Sequence, residues 1–212
     1  MINFKNENPK ILVIGDLMID HYLWGKCERI SPEAPVQIVN IDKENSVLGG
    51  AGNVINNLRA LESNVDVLSV IGNDTTAKEL EALLESIEVK SDMLIIEQNR
   101  KTSKKSRLIA SQQQVLRYDN ESIEDISSNS ETQIINKLSA IISNYDVVIL
   151  SDYGKGVLTT KLTQEIISIS NKNKVKVFVD PKGKDYSKYK GAYTLTPNKK
   201  EAIEATNIII KN

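Results

Sequence analysis

Four short apolar runs in this chain each end in the same kind of polar loop, and that repetition limits the fold more than any other feature. Residues 10–14 (KILVI) lead into Gly15 and Asp16, and residues 146–150 (DVVIL) into Ser151-Asp152-Tyr153-Gly154-Lys155-Gly156. Residues 175–179 (VKVFV) lead into Asp180-Pro181-Lys182-Gly183, and residues 192–195 (AYTL) into Thr196-Pro197-Asn198, with Glu201 one helical turn on. Runs this short, bounded by Gly, Asp or Pro, read as buried strands, and residues 65–71 (VDVLSVI) read as a fifth. Helical spacing fills the gaps: Ala51, Ile55, Leu58 and Leu61 share one face, Ile134, Ile135, Leu138, Ile141 and Ile142 another. Leu162, Ile166 and Ile167 mark a third helix. Strands alternating with helices predict an α/β fold, a doubly wound and mainly parallel sheet covered on both faces.

Two regions break the alternation. Residues 35–41 and 46–48 read as extended chain with a turn at 42–45, and residues 94–96, 106–110 and 115–118 read as strands with no helix between them. Together they predict a small, mostly antiparallel subsheet, separate from the main one.

In a parallel sheet the loops after the strands open at one edge, where such folds bind ligands. Asp16, Asp20, Asp152, Asp180 and Glu201, with at least one lysine, would line one crevice able to take sugar hydroxyls, magnesium and phosphate. Each residue also has a plainer role open to it. An Asp after a strand is often a turn former or cap, and Asn198 can cap a helix with Glu201 closing the box. Gly49-Gly50-Ala51-Gly52-Asn53 opens a helix either as a ligand cradle or as a tight helix–sheet contact. The basic stretch of Arg100, Lys101, Lys104, Lys105, Arg107 and Arg117 suits a solvated strand edge or a phosphate clamp. His21 and Cys27 lack the partners that a metal site or a nucleophile needs, and Tyr22 and Trp24 suit an interface.

A net charge of −1 gives no general attraction for nucleic acid or an anionic membrane. A single cysteine excludes an intrachain disulfide, and no apolar run is long enough to span a bilayer. These features lead us to expect a cytoplasmic protein without nucleic-acid or membrane partners.

GDLMIDHYLWG, RISPEAPV, GGAGN, SDYGKG, DPKG and TPNKKE occur here in the order found in ribokinase-like (phosphofructokinase-B type) sugar kinases, and the resemblance spans residues 10–206. Residues 29–36 and Ser151-Asp152-Tyr153 resemble the D-glycero-β-D-manno-heptose 7-phosphate kinases in particular. The resemblance implies transfer of the ATP γ-phosphoryl to the anomeric hydroxyl of the heptose, on the way to ADP-heptose and the lipopolysaccharide core. It also implies a β lid, from about residues 17–48 and 94–118, that often pairs two subunits into a homodimer. Asp16, Asp20, Gly49, Gly50 and Asn53 would hold sugar hydroxyls, Arg107 and Arg117 the sugar's own phosphate, with Asp152 a further substrate contact. Lys182, Asn198 and Glu201 would face the ATP phosphates, Asn198 and Glu201 organising Mg2+ indirectly. The family's Gly-Ala-Gly-Asp element, which carries the catalytic base, has no counterpart in this sequence. The base is therefore expected beyond Asn212, in a kinase domain truncated here and inactive alone. Two alternatives are a sugar-phosphate-binding protein without catalysis and a kinase of another sugar in the family. A magnesium-dependent phosphohydrolase is a further one.

Overall fold

The computed structural model describes residues 9–210. The chain runs β1 (Lys10–Gly15), β2 (Leu17–Ile30), β3 (Gln37–Gly50), α1 (Ala51–Ala60), β4 (Asn64–Leu68), β5 (Val70–Gly72), α2 (Thr75–Glu85) and β6 (Ile95–Glu97). It continues β7 (Ser103–Ala110), β8 (Gln113–Asn120), α3 (Ser128–Ile141), β9 (Val147–Ser151), α4 (Thr160–Lys172), β10 (Lys176–Asp180), β11 (Thr194–Leu195) and α5 (Lys199–Thr206).

Five strands form an all-parallel sheet in the order β11-β10-β9-β1-β4. Alternation along β1 shows how both faces are buried. Leu12 and Ile14 point into a core with Ile134 and Leu138 of α3 and Leu162 and Ile166 of α4. Ile11 and Val13 point the other way, towards Ile55 of α1 and Leu80 and Leu84 of α2. Side chains Asp74, Ser127, Thr159 and Asn198 cap α2, α3, α4 and α5, satisfying amides that the first helical turn leaves open. Helix α1 has Gly50 at its cap and no capping side chain.

A second sheet has the order β3-β2-β7-β8, with β2–β3 and β7–β8 antiparallel and β2–β7 parallel. Four expectations need correction. Strand β3 runs unbroken through residues 42–45, pairing Lys43 to Asn45 with Trp24 to Tyr22, so no turn forms there. Residues 65–71 divide at Ser69, whose hydroxyl donates to the Gly15 carbonyl at 2.6 Å and ends the pairing with β1. Ile95 and Ile96 pair with the far side of that break, β5, and lie outside the second sheet. Residues 94–102 therefore do not belong to the subsheet. Leu61 is 75% exposed just past the end of α1, so the apolar face of that helix stops at Leu58.

Candidate active site

Strand β1 lies between β4, which follows it in the chain, and β9, which returns on its other side. The connection reverses direction there, and the loops after β1, β9 and β10 share one edge, since Gly15, Ser151 and Asp180 are in register. Open α/β sheets form their ligand crevice at such a reversal.

Asp16 sits at the reversal, where its side chain turns towards the loop after β9. It is 1% exposed, and its carboxylate accepts from the backbone N–H groups of Tyr153 (2.8 Å), Lys155 (3.1 Å) and Val157 (3.1 Å). Burial pushes its pKa above the usual carboxylate range, against the pull of those three donors. Both oxygens are committed to the loop after β9, so Asp16 braces that loop. Asp152 is likewise committed. Its Oδ2 accepts from the Tyr189 hydroxyl (2.7 Å) and pairs with Lys188 (2.5 Å), its Oδ1 accepts from the Gly154 amide (2.8 Å), and it is 3% exposed. In this structure the carboxylates of Asp16 and Asp152 both support the loop after β9. Lys155 joins in, its amide donating to Asp16 and its ammonium pairing with Glu121 after β8.

Asp20 has a different setting. It projects from β2 above the Gly49-Gly50 turn, so close that a Cβ on residue 49 would fall 2.4 Å from Asp20 Oδ2. Residue 50 has φ +55°, where glycine is favoured, and a Cβ there would meet the Asp16 carbonyl at 2.5 Å. The two glycines thus let a carboxylate, a backbone turn and the uncapped start of α1 converge, with Asn53 exposed in the first turn of that helix. Asp20 Oδ1 accepts from Arg107 Nη1 at 2.6 Å, and the guanidinium lies 5.3 Å from the Tyr22 ring centroid. Arg107 is paired across the ladder with Arg117. Arg117 donates through Nε and Nη2 to both oxygens of Asp119, at 2.9 and 2.7 Å. That bidentate contact holds Asp119 at about 2. Lys105 links Asp119 (3.2 Å) to Glu121 (3.1 Å).

The third cluster lies beyond β9. Tyr153, Asp180, Lys182, Thr196, Asn198 and Glu201 line a cavity of about 250 Å³. Burial and the neighbouring Glu201 raise Asp180 above its ordinary value, with Lys182 partly offsetting them. Asn198 and Glu201 do form a capping box: Asn198 Oδ1 accepts from the Glu201 amide and Glu201 Oε2 from the Asn198 amide, each at 3.0 Å. The capping role therefore holds. It also leaves Glu201 Oε1 towards the cavity, 3.9 Å from Lys182 Nζ. Tyr153 lies between this cluster and Asp20, and burial together with Asp180, Asp20 and Glu201 raises its hydroxyl pKa. Among the described residues no group of three or more acidic, His or Cys side chains is arranged to enclose a metal. The neighbouring carboxylates of Asp180 and Glu201 on this cavity are of a kind that magnesium takes, since it keeps several waters and shares its coordination with phosphate.

The sequence places Asp180 in the crevice without a particular partner, and it does not single out Tyr153, Lys188 or Tyr189. Asp180 carried the same signal as the other strand-end acids. Lys188 and Tyr189 reach Asp152 from 36 and 37 positions further along the chain, and no local motif announces them. A larger cavity, about 420 Å³ beside Lys10, Asp66 and Tyr145, lies at the opposite edge of the sheet, where β1 begins.

The sheet order, the crevice at its reversal and the glycine-opened helix define a ribokinase-like α/β fold. Residues 8–211 match the pfkB family of carbohydrate kinases, and the chain belongs to that family. It is 72% identical over 207 residues to the bifunctional protein HldE of Aliarcobacter butzleri, a match covering 98% of this chain and 44% of that protein. The HldE of Sulfurimonas denitrificans is 64% identical over 208 residues, with the same two coverages, 98% and 44%. The chain thus spans less than half the length of these curated relatives. Among solved structures, the tetrameric inhibited form of phosphofructokinase-2 from Escherichia coli aligns with a TM-score of 0.73 at 16% identity, over 96% of this chain and 66% of that one. Arabidopsis thaliana ribokinase, complexed with ribose and ATP, aligns with a TM-score of 0.65 at 18% identity, over 94% and 63%. At these identities the structural likeness speaks for the fold.

Proposed function

We propose that this chain supplies the sugar site and part of the nucleotide site of an ATP-dependent kinase acting on D-glycero-β-D-manno-heptose 7-phosphate. The observation that carries the reading is the placement of Asp20 above Gly49-Gly50 with Arg107 and Arg117 alongside. A carboxylate for hydroxyls stands next to two guanidiniums suited to a phosphate already on the sugar. The 72% identity to a protein named HldE supports the heptose assignment over other sugars of the family.

In this reading Asp20, the Gly49-Gly50 backbone and Asn53 orient the sugar, while Arg107 and Arg117 bind its 7-phosphate. Lys182 meets the ATP phosphates, and Asn198 and Glu201, with Asp180, hold magnesium through water. The metal neutralises charge on the transferring phosphoryl group, and the protein's share is mainly alignment and electrostatic stabilisation. No residue of this sequence is assigned as the base. The second sheet acts as the lid. Exposed Ile41, Leu116 and Tyr118 on its strands support pairing of two lids in a homodimer. We assign the protein to the cytoplasm and to heptose supply for lipopolysaccharide. Among the described residues no helix is long and apolar enough to cross a membrane.

The test is ³¹P NMR of heptose 7-phosphate, ATP and Mg2+ with the protein expressed from its native gene. A new anomeric phosphate resonance with stoichiometric ADP is expected. Release of inorganic phosphate from the sugar without loss of ATP would replace the kinase with a phosphohydrolase.

A further inference from the structure

The carboxylate best placed for sugar hydroxyls is already engaged. Asp20 Oδ1 accepts from Arg107 at 2.6 Å, and Oδ2 lies against the Gly49 backbone. The other acceptor for Arg107 Nη1 among the described residues, the Lys105 carbonyl, is 3.5 Å away, too long to hold the guanidinium by itself. Arg107 is thus tied mainly to Asp20, with its plane near Tyr22, and it faces a second arginine across the ladder. Like charges opposite one another on a sheet repel, and here each is balanced by its own carboxylate, Asp20 or Asp119. A dianionic phosphate between the two arginines would satisfy both, and Arg107 would then no longer need Asp20.

Resting on the sugar-phosphate reading above, we propose that Arg107 determines specificity by competing with sugar hydroxyls for Asp20. A phosphate on the substrate draws Arg107 towards itself and Arg117, and this frees Asp20 Oδ1 for a hydroxyl. A sugar without the phosphate has to displace the guanidinium unaided. Phosphate and sugar binding are therefore positively coupled, and the coupling is reciprocal. Arg117 contributes to phosphate affinity alone, because its carboxylate partner Asp119 lies on its own strand two residues away.

The experiment is calorimetric titration of the 212-residue chain with heptose 7-phosphate, with unphosphorylated heptose, and with heptose in saturating inorganic phosphate. Wild-type protein should bind heptose more tightly by about fivefold or more when inorganic phosphate is present, the lower end of ordinary coupling. Arg107→Ala should weaken heptose 7-phosphate, strengthen plain heptose about fivefold or more, and abolish the phosphate effect. Arg117→Ala should weaken heptose 7-phosphate without strengthening plain heptose. Equal loss of both sugars in Arg107→Ala would show that Arg107 merely positions Asp20, and would overturn the proposal. If that variant fails to fold, Arg107→Gln and the wild-type phosphate effect decide the matter, and absence of the effect overturns it. Wild-type protein that prefers heptose without phosphate would remove the sugar-phosphate reading itself, an outcome visible before any variant is made.

Discussion

Replacing Asp16 by alanine tests whether this residue is a brace or a ligand. The side chain is buried and accepts three backbone N–H groups, from Tyr153, Lys155 and Val157. Alanine leaves all three donors without their acceptor. A buried donor left unsatisfied costs about 1–3 kcal/mol. The Val157 contact is fully buried and the other two only partly so, which lets water reach the latter. Alanine also relieves the cost of burying the charge, which offsets part of this, so the expected loss is about 2–4 kcal/mol, a large share of the stability of an ordinary domain. Asp20→Ala should cost less than about 1 kcal/mol, because its ion pair with Arg107 is partly solvated. Urea denaturation gives both values, and amide exchange at residues 153–157 should quicken in the Asp16 variant alone. Asp16→Ala within about 1 kcal/mol of wild type, with unchanged loop protection, would refute the brace assignment.

Asp180 has a raised pKa in the folded chain, so its favourable contribution is present below the unfolded value near 3.8 and is lost as pH rises through the folded value. Asp180→Asn should thus keep or raise the melting temperature at pH 7 while weakening Mg-ATP binding in a titration; a lower melting temperature would contradict this. Asp119 shows the opposite sign: its stabilisation is present above its unfolded pKa and disappears as pH falls towards about 2. A carboxylate ¹³C titration should place its midpoint there, and a midpoint near 4 would show that the Arg117 contact is not held in solution. Gly49→Ala puts a methyl 2.4 Å from Asp20 Oδ2, so sugar affinity should fall at least about tenfold, equivalent to 1.4 kcal/mol, with unaltered affinity counting against Asp20 as the sugar ligand.

What could be read from the sequence follows the range of the interactions involved. Strands β1, β9 and β10 were legible because burial on both faces makes them nearly continuous apolar runs, and the acids that end them lie next to them in the chain. The Asn198–Glu201 box was legible because its partners are three residues apart. Helix α2 was not recognised, although Leu80 and Leu84 stand at helical spacing behind the Asp74 cap. Strand β3 was broken at residues 42–45 because Asp42, Lys43, Glu44 and Asn45 look like a turn; pairing along β2 overrides their local preference. Asp16 and Asp20 look equivalent in the sequence. Only the return of the chain to residues 153–157, some 140 positions later, separates a saturated brace from a carboxylate facing a glycine turn.

The central claim is that these residues form a sugar-phosphate site selective for the heptose. Calorimetric binding of heptose 7-phosphate, ribose and fructose 6-phosphate to this chain, without nucleotide, tests it most directly. The account predicts selective binding of heptose 7-phosphate, lost in Asp20→Ala. Equal affinity for all three sugars, or tighter binding of ribose, would contradict it.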